Sequence, residues 1–414
     1  MIRRLMVLSR DRCELDALGL ARRSLRDRGV TLRPGDCVLL TGTDQVLLAG
    51  AVALLYDLGA SVVLLPQGMD RSTVADPYLR STHELHCHDG QLDVTRGTGY
   101  GAPLPAGTLV YFTSGSTGPP RPIAVTHEQL ALTAAEYARI YSFGPGDAVA
   151  TTLPVSYNFT VVAGVLLATE REGWLELPGS PRQLTELAAS GGKRRVVVCN
   201  PVLVEELSAA GQRTPDTLYD SGGAPLSTTA ITSFRERIGD LREGYGLTET
   251  CSLTHFDSEG STDSLGTVGR AMSYCQTRIT NVAGKPRVKL SSWNAGRDLS
   301  RPSARSADWL DTKDAGCIDP AGRLRILGRA EDYPVGELWP RDTLDVIGPV
   351  LGWRCALVRQ PTPSQVRITV LHPCTDADAD ALRRAVLART AGEIPVEITD
   401  SSGRILHSGK IART

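Results

Sequence analysis

The sequence predicts an α/β protein: a large N-terminal domain of mixed or parallel sheets flanked by helices, then a small C-terminal α+β domain. Three observations carry this. Short β-branched, apolar runs alternate with helical stretches from Cys37 to Ala210, the pattern of βαβ units. The breaker Glu331-Asp332-Tyr333-Pro334 interrupts that pattern. Beyond it, three strand-like runs surround one helical run. The boundaries follow at 1–330 and 331–414, with a hinge at Glu331–Asp332. A chain of 414 residues, 41% hydrophobic, is long enough for two cores.

The elements run in order. Cys37–Thr41 is a short apolar strand, Gln45–Tyr56 a helix that Gly59 ends, and Ser61–Leu65 a buried strand. Leu109–Thr113 and Ala148–Leu153 read as strands, Glu128–Tyr141 and Val161–Thr169 as helices. Arg195–Cys199 is a strand and Pro201–Ala210 a helix. Gln276–Thr280 and Arg287–Leu290 are short strands among Gly, Ser and Asp. Trp293–Ala307 is polar and reads as a mobile loop. Past the hinge, Arg354–Gln360, Gln365–His372 and Val396–Thr399 read as strands and Asp376–Thr390 as one helix.

Composition excludes several classes. The formal net charge is -1, without the basic excess of a nucleic-acid or membrane-surface binder. The nine Cys are scattered and odd in number, so reduced thiols and a cytoplasmic location are expected. The N-terminus has no apolar run suited to a signal peptide. The most apolar stretch, Val46–Pro66, contains Asp57 and Gly59, so no membrane span is expected. His83-Glu-Leu-His-Cys-His88 lacks HExxH spacing and a distant ligand pair, and reads as a solvated loop. Only five of the 45 basic residues are Lys, at 193, 285, 289, 313 and 410.

The sharpest segment is Tyr111-Phe-Thr-Ser-Gly-Ser-Thr-Gly-Pro-Pro-Arg121. A strand enters a loop of small residues, hydroxyls and a cation, which suits phosphate oxygens. No Lys-Ser/Thr pair closes it, so it is not a Walker loop, which disfavours a P-loop phosphotransferase. The segment resembles the phosphate loop of the adenylate-forming (AMP-binding) superfamily: acyl-CoA synthetases, aryl-acid-activating enzymes and nonribosomal adenylation domains. Thr113, Ser114, Gly115, Ser116, Thr117, Gly118 and Pro120 match that pattern; Arg121 stands where the family has Lys.

Further matches follow in the family's order. Ser221-Gly222-Gly223-Ala224 resembles the segment lining adenine and the acyl pocket. Tyr245-Gly246-Leu-Thr248-Glu249 resembles YGxTE, which implies Thr248 at the α-phosphate and Glu249 as Mg²⁺ ligand. Thr312-Lys-Asp314 takes the place of TGD, implying Asp314 on the ribose hydroxyls. Gly328-Arg329 resembles the nucleotide-contacting GR before the hinge. Ser408-Gly-Lys410-Ile resembles SGKI, implying Lys410 as the cation that bridges carboxylate and phosphate. Leu153-Pro-Val-Ser-Tyr157-Asn158-Phe159 resembles the acyl-pocket segment. The Asn158 position in aryl-acid-activating members contacts a ring hydroxyl, which implies a small aromatic acid.

The resemblance implies ATP-dependent activation of a carboxylic acid to an acyl-adenylate, with Mg²⁺ as cofactor. Arg121, Thr248, Glu249 and Lys410 would carry the chemistry. Transfer to CoA or to the phosphopantetheine of an acyl or aryl carrier protein would follow. Two departures stand out: Lys313 replaces the Gly of TGD, a bulky residue beside the ribose, and the loop after Arg329 is short. They leave open a degenerate homologue that binds nucleotide or acyl group without full thioester synthesis.

Overall fold

A computed structural model of the chain describes Ile2 and residues 4–11, 13–69, 81–97, 99, 104–113, 120–300, 309–370, 374–390 and 394–400. Two large sheets sandwich a helical layer. The first has seven strands, in the order Arg297–Asp298, Pro122–Thr126, Thr108–Phe112, Ser61–Leu64, Cys37–Gly42, His83–His88 and Gln91–Arg96. Its centre is parallel: Cys37–Gly42 pairs in parallel with both Ser61–Leu64 and His83–His88. The second has nine strands and a parallel core of Asp240–Tyr245, Thr217–Ser221, Arg195–Cys199, Ala148–Ala150 and Trp174–Glu176.

Helices Ala17–Asp27, Gln45–Leu58, His127–Tyr141 and the helical run from Asn158 to Glu170 lie between the sheets. One apolar cluster joins Val38, Leu40 and Val62 of the first sheet to Val149, Val196 and Val198 of the second. Gln45–Leu58 is buried almost all round, which fits its lack of a polar face. Burying each of its Leu side chains contributes roughly 1.5–3 kcal/mol. The Asp44 side chain caps its first turn through Val46 N and Leu47 N, and Gly59, at φ 69°, ends it as read from sequence. Thr126 and Gln129 form a reciprocal capping box at the start of His127–Tyr141.

An antiparallel sheet of Cys275–Val282, Lys285–Ser292, Leu310–Ile318 and Leu324–Arg329 follows. Beyond it, helices Pro340–Leu351 and Asp376–Leu387 cover a three-stranded sheet of Ala356–Thr362, Gln365–Val370 and Val396–Asp400. This is the α+β pattern expected after the breaker.

Two readings change. His83–His88 is a strand and not a solvated loop: Leu85 and Cys87 turn into the core while His86 stays exposed. The three His conceal a period-2 pattern. Trp293–Ala307 is anchored over its described part. Arg297–Asp298 pairs with Ile123 and Ala124, and Asn294 is fully buried against Gln129 and Thr133. Residues 301–307 of that stretch lie outside the described residues.

Candidate active site

The phosphate-loop segment is the connection of an antiparallel hairpin, Thr108–Phe112 with Pro122–Thr126. Thr113 and Arg121 close it: Thr113 N donates to Arg121 O at 3.0 Å and Arg121 N to Thr113 Oγ1 at 2.9 Å. Ser114, Gly115, Ser116, Thr117 and Gly118 lie outside the described residues, as does Lys410.

Arg121 leaves the hairpin as a fork between two carboxylates. One terminal nitrogen meets Glu249 Oε1; the other meets Asp298 Oδ2 at 2.8 Å. Partial burial works against the guanidinium's charge, but Glu249 and Asp298 outweigh it and raise its pKa. Burial likewise opposes ionisation of Asp298, yet hydrogen bonds from Ser300 and Arg121 hold it below the usual carboxylate range. Asp298 was not legible as a site residue, because it sits in a polar stretch without periodicity.

Glu249 lies in a single helical turn, Thr248–Thr250. The turn is held on both sides. Leu247 N donates to Thr250 Oγ1 at 3.1 Å, and Gly296 N donates to the Glu249 carbonyl at 2.8 Å. Cys251 and Ser252 follow at φ 55° and 92°, a left-handed pair that costs about 1–3 kcal/mol per residue. Buried contacts hold it there: Ser252 Oγ meets Tyr137 OH at 2.9 Å. Gly246 is required by space, since a Cβ there would stand 1.3 Å from Ser252 O.

A second cluster begins at the other end of the same motif. Asp314 is 3% exposed. Its Oδ2 accepts from Tyr245 OH at 2.6 Å, its Oδ1 from Arg329 Nη1 at 2.5 Å, and its amide donates to Thr312 Oγ1 at 3.1 Å. Burial and the neighbouring carboxylate push the Tyr245 hydroxyl well above its usual range. Arg329 Nε is buried without a protein partner. Five residues, Tyr245 to Glu249, therefore join a buried Asp–Tyr–Arg cluster to the Arg121–Glu249 pair.

Lys313 sits differently from its expectation. It has φ 62°, the conformation that a glycine at this place adopts freely. Its side chain is largely exposed and bonds Asp311 Oδ2 at 3.1 Å, away from Asp314. Despite partial burial, bonds from Lys289, Lys313 and Arg287 hold Asp311 well below the usual carboxylate range. The bulky side chain is engaged by Asp311 and makes no bond to Asp314 among those described.

Gly222 and Gly223 leave the strand Thr217–Ser221 beside the acyl-pocket segment. A Cβ on Gly222 would lie 3.2 Å from the Phe159 ring, and Gly223 has φ 92°. Ala224 and Tyr157 are half-buried, Tyr157 packing against the central core. Asn158 makes no helix cap; its Nδ2 is buried with no hydrogen-bond partner. Orphaned amides are rare in folded proteins and call for a partner.

Among the described residues no group of three or more His, Cys, Asp or Glu is arranged to hold a metal ion. Mg²⁺ is commonly held by one or two carboxylates together with substrate phosphates. The hard oxygens of Glu249, beside the phosphate hairpin, suit that mode. No helix among the described residues is long and apolar enough to cross a membrane.

Residues 102–293 match the family model described as AMP-binding enzyme. The chain is 24% identical over 340 residues to a 2-succinylbenzoate–CoA ligase of Bacillus velezensis, covering 73% of this chain and 69% of that one. It is 26% identical over 249 residues to the acyl-CoA ligase cnsG of Penicillium expansum, covering 53% of this chain and 51% of that one. The chain spans about half the length of most of the curated relatives it matches. Among solved structures, the anthranilate CoA ligase AuaEII with anthranoyl-AMP superposes with a TM-score of 0.79 at 17% identity, covering 99% of this chain and 93% of that one. A benzoate CoA ligase from Burkholderia xenovorans gives 0.76 at 16%, covering 99% and 95%. The ordered motifs, the fold and these likenesses converge: over residues 102–293 this chain resembles the AMP-binding enzymes, and it shares the fold of the solved CoA ligases.

Proposed function

We propose that the chain is an AMP-forming acid–thiol ligase. It activates a carboxylic acid with ATP to an acyl-adenylate, releases pyrophosphate, and passes the acyl group to a thiol with release of AMP. The observation that carries this reading is the juxtaposition of two clusters on one motif. The segment Tyr245–Glu249 ends in Asp314 and Arg329 on one side and in Arg121 on the other. A nucleotide laid along it has its ribose at Asp314 and its phosphates at Thr248, Arg121 and the hairpin residues Thr113 to Gly118.

The chemistry asks for charge control. A carboxylate approaches the α-phosphorus, and two anions repel. Arg121 and Lys410 supply positive charge as the pentacoordinate state forms, and the Thr248 hydroxyl orients the α-phosphate. Glu249 would hold Mg²⁺ together with the phosphates, and that ion supplies further charge to offset the departing pyrophosphate. The mixed anhydride left behind is electrophilic at its carbonyl carbon, and a thiolate displaces AMP there.

The acid is read as a small aromatic one. The unpartnered Asn158 Nδ2, on the residue before the Phe159 ring that packs against Gly222, offers a donor to a ring substituent. Relatives named for succinylbenzoate, and neighbours named for anthranilate and benzoate, support the same class. CoA is the favoured acceptor, since the relatives are named CoA ligases; a carrier-protein pantetheine is the other thiol.

The two-domain division at 1–330 and 331–414 belongs to the same reading. The C-terminal part has its own core, with Leu344, Ile347, Val366 and Ile368 among its residues. Asp332, at the hinge, accepts from Arg329 N on one side and from Arg359 Nε and Gln360 N on the other. The test is acid-dependent pyrophosphate release across benzoates, fatty acids and amino acids, then AMP release from the pre-formed adenylate on incubation with CoA or a pantetheinylated carrier. Turnover confined to fatty acids removes the aromatic assignment. Transfer to neither thiol removes the second half-reaction.

A further inference from the structure

The Arg121 guanidinium holds lone pairs of Glu249, the carboxylate read as the metal ligand, so a cation already sits where another must bind. The arrangement is built, not incidental. Asp298 Oδ1 is taken by Ser300 N at 2.9 Å and Ser300 Oγ at 2.5 Å, which leaves Oδ2 facing Arg121. The arm carrying Asp298 is pinned along the strand that follows Arg121. Asp298 pairs with Ile123, and Leu299 N donates to Pro122 O at 2.9 Å. The same arm reaches Glu249 through Gly296 N. Two carboxylates from separate parts of the chain are thus fixed on either side of one planar fork. The Arg121 side chain is 37% exposed, so incoming phosphates can reach it.

We propose that Asp298 is a positioning residue: with Glu249 it parks Arg121 as a resident counter-cation, and nucleotide and divalent metal displace it in one exchange. Phosphates draw the guanidinium off the carboxylates, and Glu249 becomes available to the metal as Arg121 turns to the phosphates. Before nucleotide arrives, metal must compete with Arg121 at Glu249 Oε1 and binds weakly. This rests on the reading of Glu249 as the metal ligand, and goes beyond it in making Arg121 and the metal alternative partners.

The test uses the full chain and two titrations. Mn²⁺ is titrated without nucleotide, and ATP is titrated in EDTA without acid substrate. Arg121→Gln should bind Mn²⁺ alone about tenfold more tightly than the parent, in the range of ordinary coupling free energies. Asp298→Asn should tighten metal-free ATP binding about threefold in the parent, and much less in the Arg121→Gln background, the signature of an effect routed through Arg121. Arg121→Lys provides a second variant if Arg121→Gln melts below the assay temperature; it should give intermediate Mn²⁺ affinity. Unchanged or weaker Mn²⁺ binding without the guanidinium overturns the proposal. So does an Asp298→Asn effect of equal size in both backgrounds. Mn²⁺ binding with ATP that is undiminished in Glu249→Gln overturns the ligand assignment, and this inference with it.

Discussion

The Arg341 guanidinium meets Glu243 Oε1 at 3.1 Å and Oε2 at 3.2 Å, with both side chains almost sealed from water. The pair joins the helix Pro340–Leu351 to the strand Asp240–Tyr245, which leads into the segment Tyr245–Glu249. Removing one partner leaves an uncompensated buried charge. Arg341→Met should cost about 3–5 kcal/mol in denaturant unfolding, and adding Glu243→Met should recover most of it. Additive losses in the double variant would show that the ions contribute independently.

Asp220 makes stability fall as pH rises through the weakly acidic range. Burial pushes its carboxyl up to about 7, with the hydrogen bond from Tyr141 opposing part of that shift. In the unfolded chain an Asp titrates near about 3.9. Between those values the folded state holds the extra proton, so unfolding free energy declines with pH and levels off above about 7. Asp220→Asn should remove much of this decline, by an amount on the order of a few kcal/mol. Parallel pH–stability curves for the two proteins would contradict the assignment.

Lys313→Gly should leave adenylation intact. The side chain points to Asp311, away from Asp314, and the left-handed backbone at φ 62° suits glycine. Relief of that strain and the greater freedom of the unfolded chain oppose each other, so stability should move by less than about 1 kcal/mol. A large rise in KM for ATP would place the lysine in the nucleotide site after all.

Asn158→Leu should change selectivity more than rate on plain benzoate. Without the amide, ring-hydroxylated and ring-aminated benzoates should lose their advantage over benzoate by about tenfold, the scale of one hydrogen bond in a buried site. Equal losses on every acid would instead mean that Asn158 supports the helix.

The motifs proposed for the nucleotide stood out in the sequence because each is a short run of residue types with a local reason: a required glycine at 246, a hydroxyl at 248, carboxylates at 249 and 314. Their spatial union could not be read from spacing. Tyr245 and Asp314 are 69 positions apart, and Arg121 and Asp298 are 177 apart. Asp298 carries no local signal; its role comes from the pairing of Arg297–Asp298 with Pro122–Thr126, inside a stretch read as a loop. The strand His83–His88 was hidden because histidine is a poor marker of the alternation that buries Leu85 and Cys87. Lys313 was misjudged because residue size says nothing of side-chain direction at a left-handed position.

Product analysis with α-labelled ATP, Mg²⁺, CoA and a panel of substituted benzoates tests the proposed ligation most directly. AMP and pyrophosphate should form in an acid-dependent way, and Lys410→Ala should lose that turnover while keeping its thermal transition. ADP as the nucleotide product, or no nucleotide product with any carboxylic acid, would contradict it.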